Sequence, residues 1–194
     1  MTSAQRLTDK RITRAIMEYD LIDEGDRILV ALSGGKDSLA LAWNLSRKAR
    51  GYPVSFEAEA LHLVTAFAPA SQPGGLGDLL TSWDMKLTLV EQPTESAAFS
   101  GNPPTCFGCA RDRRRLLLTH AAEEGFTKVA LGHHMDDSLI TLLMNMSWNG
   151  ELAAMPPKLS GREPGAPAII RPLILLQENV VARMVKDSDR KSVV

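Results

Sequence analysis

Ile28-Leu29-Val30-Ala31-Leu32 is an uninterrupted apolar run that passes directly into Ser33-Gly34-Gly35-Lys36-Asp37-Ser38. A strand with no polar alternation is buried on both faces, which requires helices above and below it. The residues from Leu39 to Ala49 then read as a helix. Strand, glycine turn and helix start together aim backbone N–H groups at one point, where an anion fits. The glycines let the backbone approach that anion closely. Ser33 and Ser38 add hydroxyls, and Lys36 adds a mobile positive charge. The spacing is neither G-x-x-x-x-G-K-[ST] nor G-x-G-x-x-G, so the two commoner phosphate loops are excluded. A plain tight turn needs neither the lysine nor both serines, so the six residues suit a polyphosphate.

The rest of the chain repeats the alternation. Residues 4–20 predict a helix with an apolar stripe of Leu7, Ile12, Ala15, Ile16 and Tyr19. The first strand spans 27–32, and Gly51 reads as the C-cap of the helix after the loop. Further strands are predicted at Val54–Val64, Lys86–Val90, Lys128–Leu131 and Ala168–Ile170. Helices are predicted at Leu79–Trp83, Ala110–Glu124 and Asp136–Trp148. Gln72–Gly77, residues 92–105 and Pro156–Pro167 read as loops, on their glycines and prolines. This order predicts an α/β fold: a doubly wound, mainly five-stranded parallel sheet with helices on both faces. One domain is expected over 27–175, after a basic helical lead-in over 1–26 and before a short tail over 176–194. In such sheets ligands sit beyond the C-terminal strand ends. Both Ser33–Ser38 and Gly132–Asp137 fall at such ends.

Two other motifs carry chemistry. Cys106-Phe107-Gly108-Cys109 stands just before a predicted helix, where the helix N-terminus and Arg111, Arg113, Arg114 and Arg115 favour thiolates. The pair reads as iron–sulfur ligands, a zinc half-site, or a disulfide or persulfide carrier. Gly132-His133-His134-Met135-Asp136-Asp137 places two carboxylates in a first helical turn. Asp136 and Asp137 could hold Mg²⁺ on ATP, together with Asp37, or serve only to cap the helix. His133 and His134 could be ligands, bases or packed side chains. The run Arg111-Asp112-Arg113-Arg114-Arg115, with Arg6, Lys10, Arg11 and Arg14, could contact RNA phosphates. The alternative is a solvated helix face. The net charge of −1 gives no nucleic-acid signal at the level of the whole molecule, so any such contact is a local patch. No apolar run reaches the ~20 residues of a membrane span, and no membrane partner is expected. The N-terminal residues lack the apolar core of a secretory leader, so a cytoplasmic location is expected. Two cysteines there read as redox or metal chemistry rather than as a structural staple.

The motif Ser33–Ser38 resembles the signature of the PP-loop ATP pyrophosphatases, which split ATP between its α and β phosphates and adenylate a substrate. Within that group, the chain resembles the tRNA 2-thiocytidine synthetases from about Gln5 to Leu175. The carriers are Glu24-Gly25-Asp26-Arg27, the phosphate loop, Thr105–Arg111, Leu131–Asp137, Met155-Pro156-Pro157-Lys158 and Arg171-Pro172-Leu173. The resemblance implies the adenine nucleotide alpha-hydrolase-like fold, with ATP and Mg²⁺ activating a tRNA cytidine as an adenylate and sulfur displacing AMP. It also implies a 4Fe–4S cluster held by three cysteines, with Cys106 and Cys109 as two of them. Gly34, Gly35 and nearby N–H groups would hold the leaving pyrophosphate, with Lys36 neutralising its charge. Ser33, Ser38, Gly132 and His133 would line the nucleotide site. Asp37 and Asp137 would take the magnesium.

The chain departs from that pattern in two places. It has two cysteines where the family's cluster has three, and Ile140 stands where relatives usually carry an acidic residue. Two thiolates from each of two copies could share a cluster, which makes a homodimer one expectation and a separate sulfur-donor protein another. An ATP pyrophosphatase acting on another substrate, or a nucleotide-binding module without turnover, stays open beside the sulfurtransferase.

Overall fold

The structure is a computed structural model that describes residues 2–64, 75–92, 106–161 and 163–188, with Cys106, Phe107, Asp187 and Ser188 described by backbone alone. Six strands form one sheet in the order β3-β2-β1-β4-β6-β5. They are β1 (Asp26–Ala31), β2 (Phe56–Val64), β3 (Leu87–Glu91), β4 (Lys128–Ala130), β5 (Lys158–Leu159) and β6 (Ala168–Ile170). All neighbours pair in parallel except β5, which runs antiparallel to β6. The register sets Ile28 beside Ala58 and Lys128, and Val30 beside Ala60 and Ala130.

The strand period of two sorts the side chains of β1 onto two faces. Ile28 and Val30 meet α1 (Ser3–Glu18), α2 (Lys36–Ala49) and α6 (Glu178–Ser188) in one core, where Ile12, Leu41, Leu45 and Val181 are fully buried. Leu29 joins Leu61, Val129, Ile169 and Ala121 in a second core under α4 (Cys106–Glu123). Each fully buried leucine or isoleucine adds about 1.5–3 kcal/mol relative to exposure. The first core also takes Leu76 and Leu80 from α3 (Leu76–Ser82). A capping box starts α1: Gln5 N–H donates to Thr2 Oγ1 and Thr2 N–H to Gln5 Oε1. The helix α5 (Met135–Met144) continues into a π-helical turn, Asn145–Asn149, that ends on left-handed Gly150. No residue of α5 is fully buried, and Leu139, Ile140 and Leu143 are exposed.

The doubly wound expectation holds, with corrections. Where the pattern predicts a tail over 176–194, Glu178–Ser188 forms a helix whose Val181 and Met184 lie in the first core. The predicted loop Pro156–Pro167 contains β5, so the sheet gains an antiparallel edge strand. The cysteine motif lies inside α4 rather than before it. Lys36, Asp37 and Ser38 form the first turn of α2. The loops predicted at Gln72–Gly77 and 92–105 fall mostly outside the described residues; of the first, Leu76 and Gly77 open α3. No helix among the described residues is long and apolar enough to cross a membrane.

At the N-terminal end of the sheet, Lys128 is buried and forms ion pairs with Asp26 and Asp23. Asp26 is itself buried, and it also accepts from Thr127 Oγ1 and from Asp23 N–H. Two buried charges of this kind stabilise only as a pair. Asp26→Ala is therefore expected to cost about 3–5 kcal/mol in urea unfolding, because it removes the buried partner of Lys128 and leaves only the mostly exposed Asp23. Asp23→Ala, on a mostly exposed side chain, is expected to cost less than about 1 kcal/mol. The hydrogen bond from Lys128 holds the Asp23 carboxyl below its ordinary value of 3.8. The contribution of Asp23 is thus present above that value and fades as pH falls through the lowered one.

Candidate nucleotide-binding site

The strand order reverses between β1 and β4, and their following helices leave a crevice at the C-terminal crest. One wall is the Ser33–Ser38 loop and the other is Gly132–Asp137. They touch. A Cβ on Gly132 would lie 3.1 Å from Ser38 N and 3.2 Å from the Asp37 carbonyl carbon. Glycine at 132 is what lets the end of β4 approach the start of α2.

The loop is held by its own serines. Ser38 Oγ donates to Gly35 O at 2.9 Å and accepts from Ser33 N–H at 3.1 Å, and the two hydroxyl oxygens are 3.1 Å apart. Gly34 has φ +82°, a conformation that favours glycine. Gly35 is the N-cap of α2 and caps it with no side chain. The first-turn N–H groups thus lack the usual side-chain oxygen and face the crest as donors, with the positive end of the helix dipole behind them. His62 supports the loop from below: its Nδ1 donates to Leu32 O at 2.8 Å, one residue before Ser33.

Lys36 Nζ lies 2.9 Å from Glu178 Oε1 and 3.1 Å from Asp37 Oδ2. The Glu178 carboxylate, then that of Asp37, holds the ammonium above its ordinary value. The lysine arrives charged and carries a carboxylate where a phosphate would sit. Asp37 Oδ1 is buried with no hydrogen-bond partner, and His134 Nε2 stands 4.0 Å away. That orphaned oxygen is a fitting cation ligand. Asp137 Oδ2 accepts from His134 N–H at 2.8 Å, and Asp136 Oδ2 accepts from Glu178 N–H at 2.8 Å. Both aspartates are therefore also caps, Asp137 of its own helix and Asp136 of α6. Among the described residues no three His, Cys, Asp or Glu side chains gather as a metal site. Magnesium would need phosphate oxygens to complete its shell.

His133 is half-buried. Burial, and after it the Arg171 guanidinium, holds the His133 imidazole below 6.5, so it is neutral at neutral pH. Its Nδ1 is buried and unpartnered. Cys109 is a half-buried free thiol in the first turn of α4. The side chain of Cys106 lies outside the described residues. The structure thus brings together Ser33 to Ser38, Gly132, and Asp136 and Asp137 through His134. It leaves the cysteine pair on a separate helix. Glu178, His62 and Arg171 are additions to the sequence-based set. Only Glu178 had a visible signal: Val180, Val181, Met184 and Val185 behind it have helical spacing.

A lysine and an uncapped helix start at the switch point of a doubly wound sheet define a nucleotide-phosphate-binding α/β protein. The profile of the PP-loop domain family matches residues 5–192, and the chain belongs to that family. It is 40% identical over 182 residues to the tRNA-cytidine(32) 2-sulfurtransferase of Tolumonas auensis, covering 92% of this chain and 60% of that one. It is 40% identical over 185 residues to the enzyme of the same name from Methylococcus capsulatus, covering 91% and 62%. The chain thus spans about three-fifths of the length of these relatives. Among solved structures it resembles the U34-tRNA thiolase NcsA from Methanococcus maripaludis with its [4Fe-4S] cluster. The TM-score is 0.77 at 22% identity, covering 97% of this chain and 65% of that one. An NH3-dependent NAD synthetase from Campylobacter jejuni gives a TM-score of 0.62 at 18% identity, covering 98% and 75%. At these identities both likenesses speak to the fold alone.

An incoming phosphate must take Lys36 from Glu178 and faces repulsion from that carboxylate. Glu178→Gln is expected to tighten binding of a non-hydrolysable ATP analogue severalfold by titration calorimetry. Unchanged or weaker binding would show that Glu178 does not compete for the lysine.

Proposed function

We propose that this chain uses ATP to adenylate a cytidine of tRNA and then directs sulfur to the activated carbon. The observation that carries the reading is the start of α2, which lacks a side-chain cap and stands beside Lys36 in the β1–β4 crevice. The names of the relatives at 40% identity support the choice of a tRNA base.

In this mechanism the N–H groups of the first α2 turn and Lys36 hold the β and γ phosphates of ATP. The cytosine O2 attacks the α phosphorus. The new O–P bond forms as the bond to the bridging oxygen breaks, and pyrophosphate leaves into the cradle with its charge neutralised by Lys36. Asp37 and Asp137 would hold Mg²⁺, which would supply positive charge to neutralise the phosphates. His133, neutral, can accept a hydrogen bond from the base or ribose. A sulfur nucleophile then adds at C2, the C2–O bond breaks and AMP departs. A 4Fe–4S cluster, when bound, would present that sulfur, with Cys106 and Cys109 as two of its thiolate ligands. A sulfur-donor protein supplies the atom, and the completing ligands come from outside this chain's cysteines, for example from a second copy. Cytoplasmic tRNA is the natural substrate pool.

The two-cysteine count favours a second reading, a PP-loop nucleotide binder or simple ATP pyrophosphatase that has lost sulfur transfer. α-Labelled ATP incubated with bulk tRNA separates the two. AMP formation dependent on tRNA supports adenylation, and tight binding without products supports the module. Lys36→Ala is expected to lower AMP formation by about 10²–10³, the usual effect of losing one preorganised donor. Cys109→Ser is expected to keep AMP formation while thiolated cytidine disappears from tRNA nucleosides by mass spectrometry. Wild-type protein that forms no AMP with tRNA would end the leading reading.

A further inference from the structure

Arg171 follows β6 at the crest and is 4% exposed. Its Nη1 donates to Pro156 O at 2.5 Å, and its Nε is buried without a partner. Among the described residues no carboxylate pairs with it. A guanidinium is always charged, and a buried charge with no counter-charge is costly. The groups around Arg171 deepen the deficit. Arg114 of α4 repels it, and His133 faces both arginines with an unpartnered Nδ1. Among the described residues the one opposing charge acting on His133 is Asp137. Three basic side chains from three elements thus converge where a negative group is missing.

Their place in the fold separates them from the polyphosphate cradle. Leu131 and Ile169 belong to the core under α4. His133 and Arg171 follow the ends of β4 and β6 and lie near Arg114 of α4, on that side of the sheet. Lys36 and Glu178 lie on the opposite face, with α2 and α6. Arg114 also belongs to a strip. Arg111, Arg114 and Arg115 have helical spacing and all are exposed. A strip of cations that ends in a buried, unpaired arginine suits a polyanion with regularly spaced charges better than a single nucleotide.

We propose that Arg171, Arg114 and His133 form a second anion site, which takes a backbone phosphodiester of the bound RNA. Arg111 and Arg115 extend its contact along the strand. The proposal rests on the tRNA reading above. It gives the tRNA a fixed approach, along α4 and past Cys109 towards the crest.

The test measures binding of bulk tRNA to the full chain by fluorescence anisotropy at several salt concentrations. A non-hydrolysable ATP analogue is titrated in parallel. Arg114→Ala and Arg171→Met are expected to weaken tRNA binding about three- to tenfold. Each should lower the slope of log affinity against log salt by about 1. Affinity for the ATP analogue is expected to stay within about twofold, because the cradle lies on the other face. Arg114→Glu, at an exposed position that tolerates exchange, should weaken tRNA binding further and decides the matter if Arg171→Met fails to fold. Unchanged tRNA affinity and slope in both Arg114 variants would overturn the site while leaving the tRNA reading standing. Loss of the ATP analogue instead of tRNA would also overturn it, by assigning the anion to the nucleotide. Wild-type protein that binds no tRNA would remove both.

Discussion

Everything at the crest depends on how closely the end of β4 approaches the first turn of α2. Gly132 sits where any Cβ would press on the backbone of Asp37 and Ser38. The contact fixes the spacing between two loops that come from strands a hundred residues apart. It places a helix start that no side chain caps opposite a run of histidines and aspartates. Parallel strands with helices sent to opposite faces create the opening, and glycine keeps it narrow. A larger residue at 132 would push the two walls apart before it disturbed either core.

Charge at the crest is balanced within the chain, unevenly. On the α2 face, Lys36 has Glu178 and Asp37, and Asp136 ties the same end of α6 through Glu178 N–H. The last described helix therefore serves the first loop. On the α4 face, Arg171 and Arg114 have no such partners among the described residues. The two faces differ in what they ask of a ligand. The first already holds a carboxylate that a phosphate can replace, and the second holds positive charge that waits for an anion. At the other end of the sheet, Lys128 and Asp26 satisfy each other within the fold. That pair anchors β1 and β4 at their starts without taking part in chemistry.

Local pattern made much of this legible. The apolar run of β1, the six-residue loop and the amphipathic run of α2 were readable because each is defined by neighbours in sequence. Ala168–Ile170 was readable for the same reason, bounded by proline and arginine. The strand β5 was not, because two residues carry no periodicity and are ordered only by pairing with β6. The helix α6 leaves a sequence trace in Val180, Val181, Met184 and Val185, which mark its buried stripe. Its role at the site was invisible in any case, because the Glu178–Lys36 pair joins residues far apart in the chain. Asp136 and Asp137 are legible as a pair, but their division into two different caps depends on which N–H each one meets.

The sequence by itself determined the class of fold, the phosphate loop and the chemical type of the residues at both crest loops. Those follow from short-range rules: burial period, glycine conformation and helix polarity. Tertiary structure alone decided that Glu178 covers Lys36, that Gly132 touches Ser38, and that Arg171 stands buried without a counter-charge among the described residues. Each of these is a distance or a burial between segments remote in sequence, and neither quantity exists until the chain has folded.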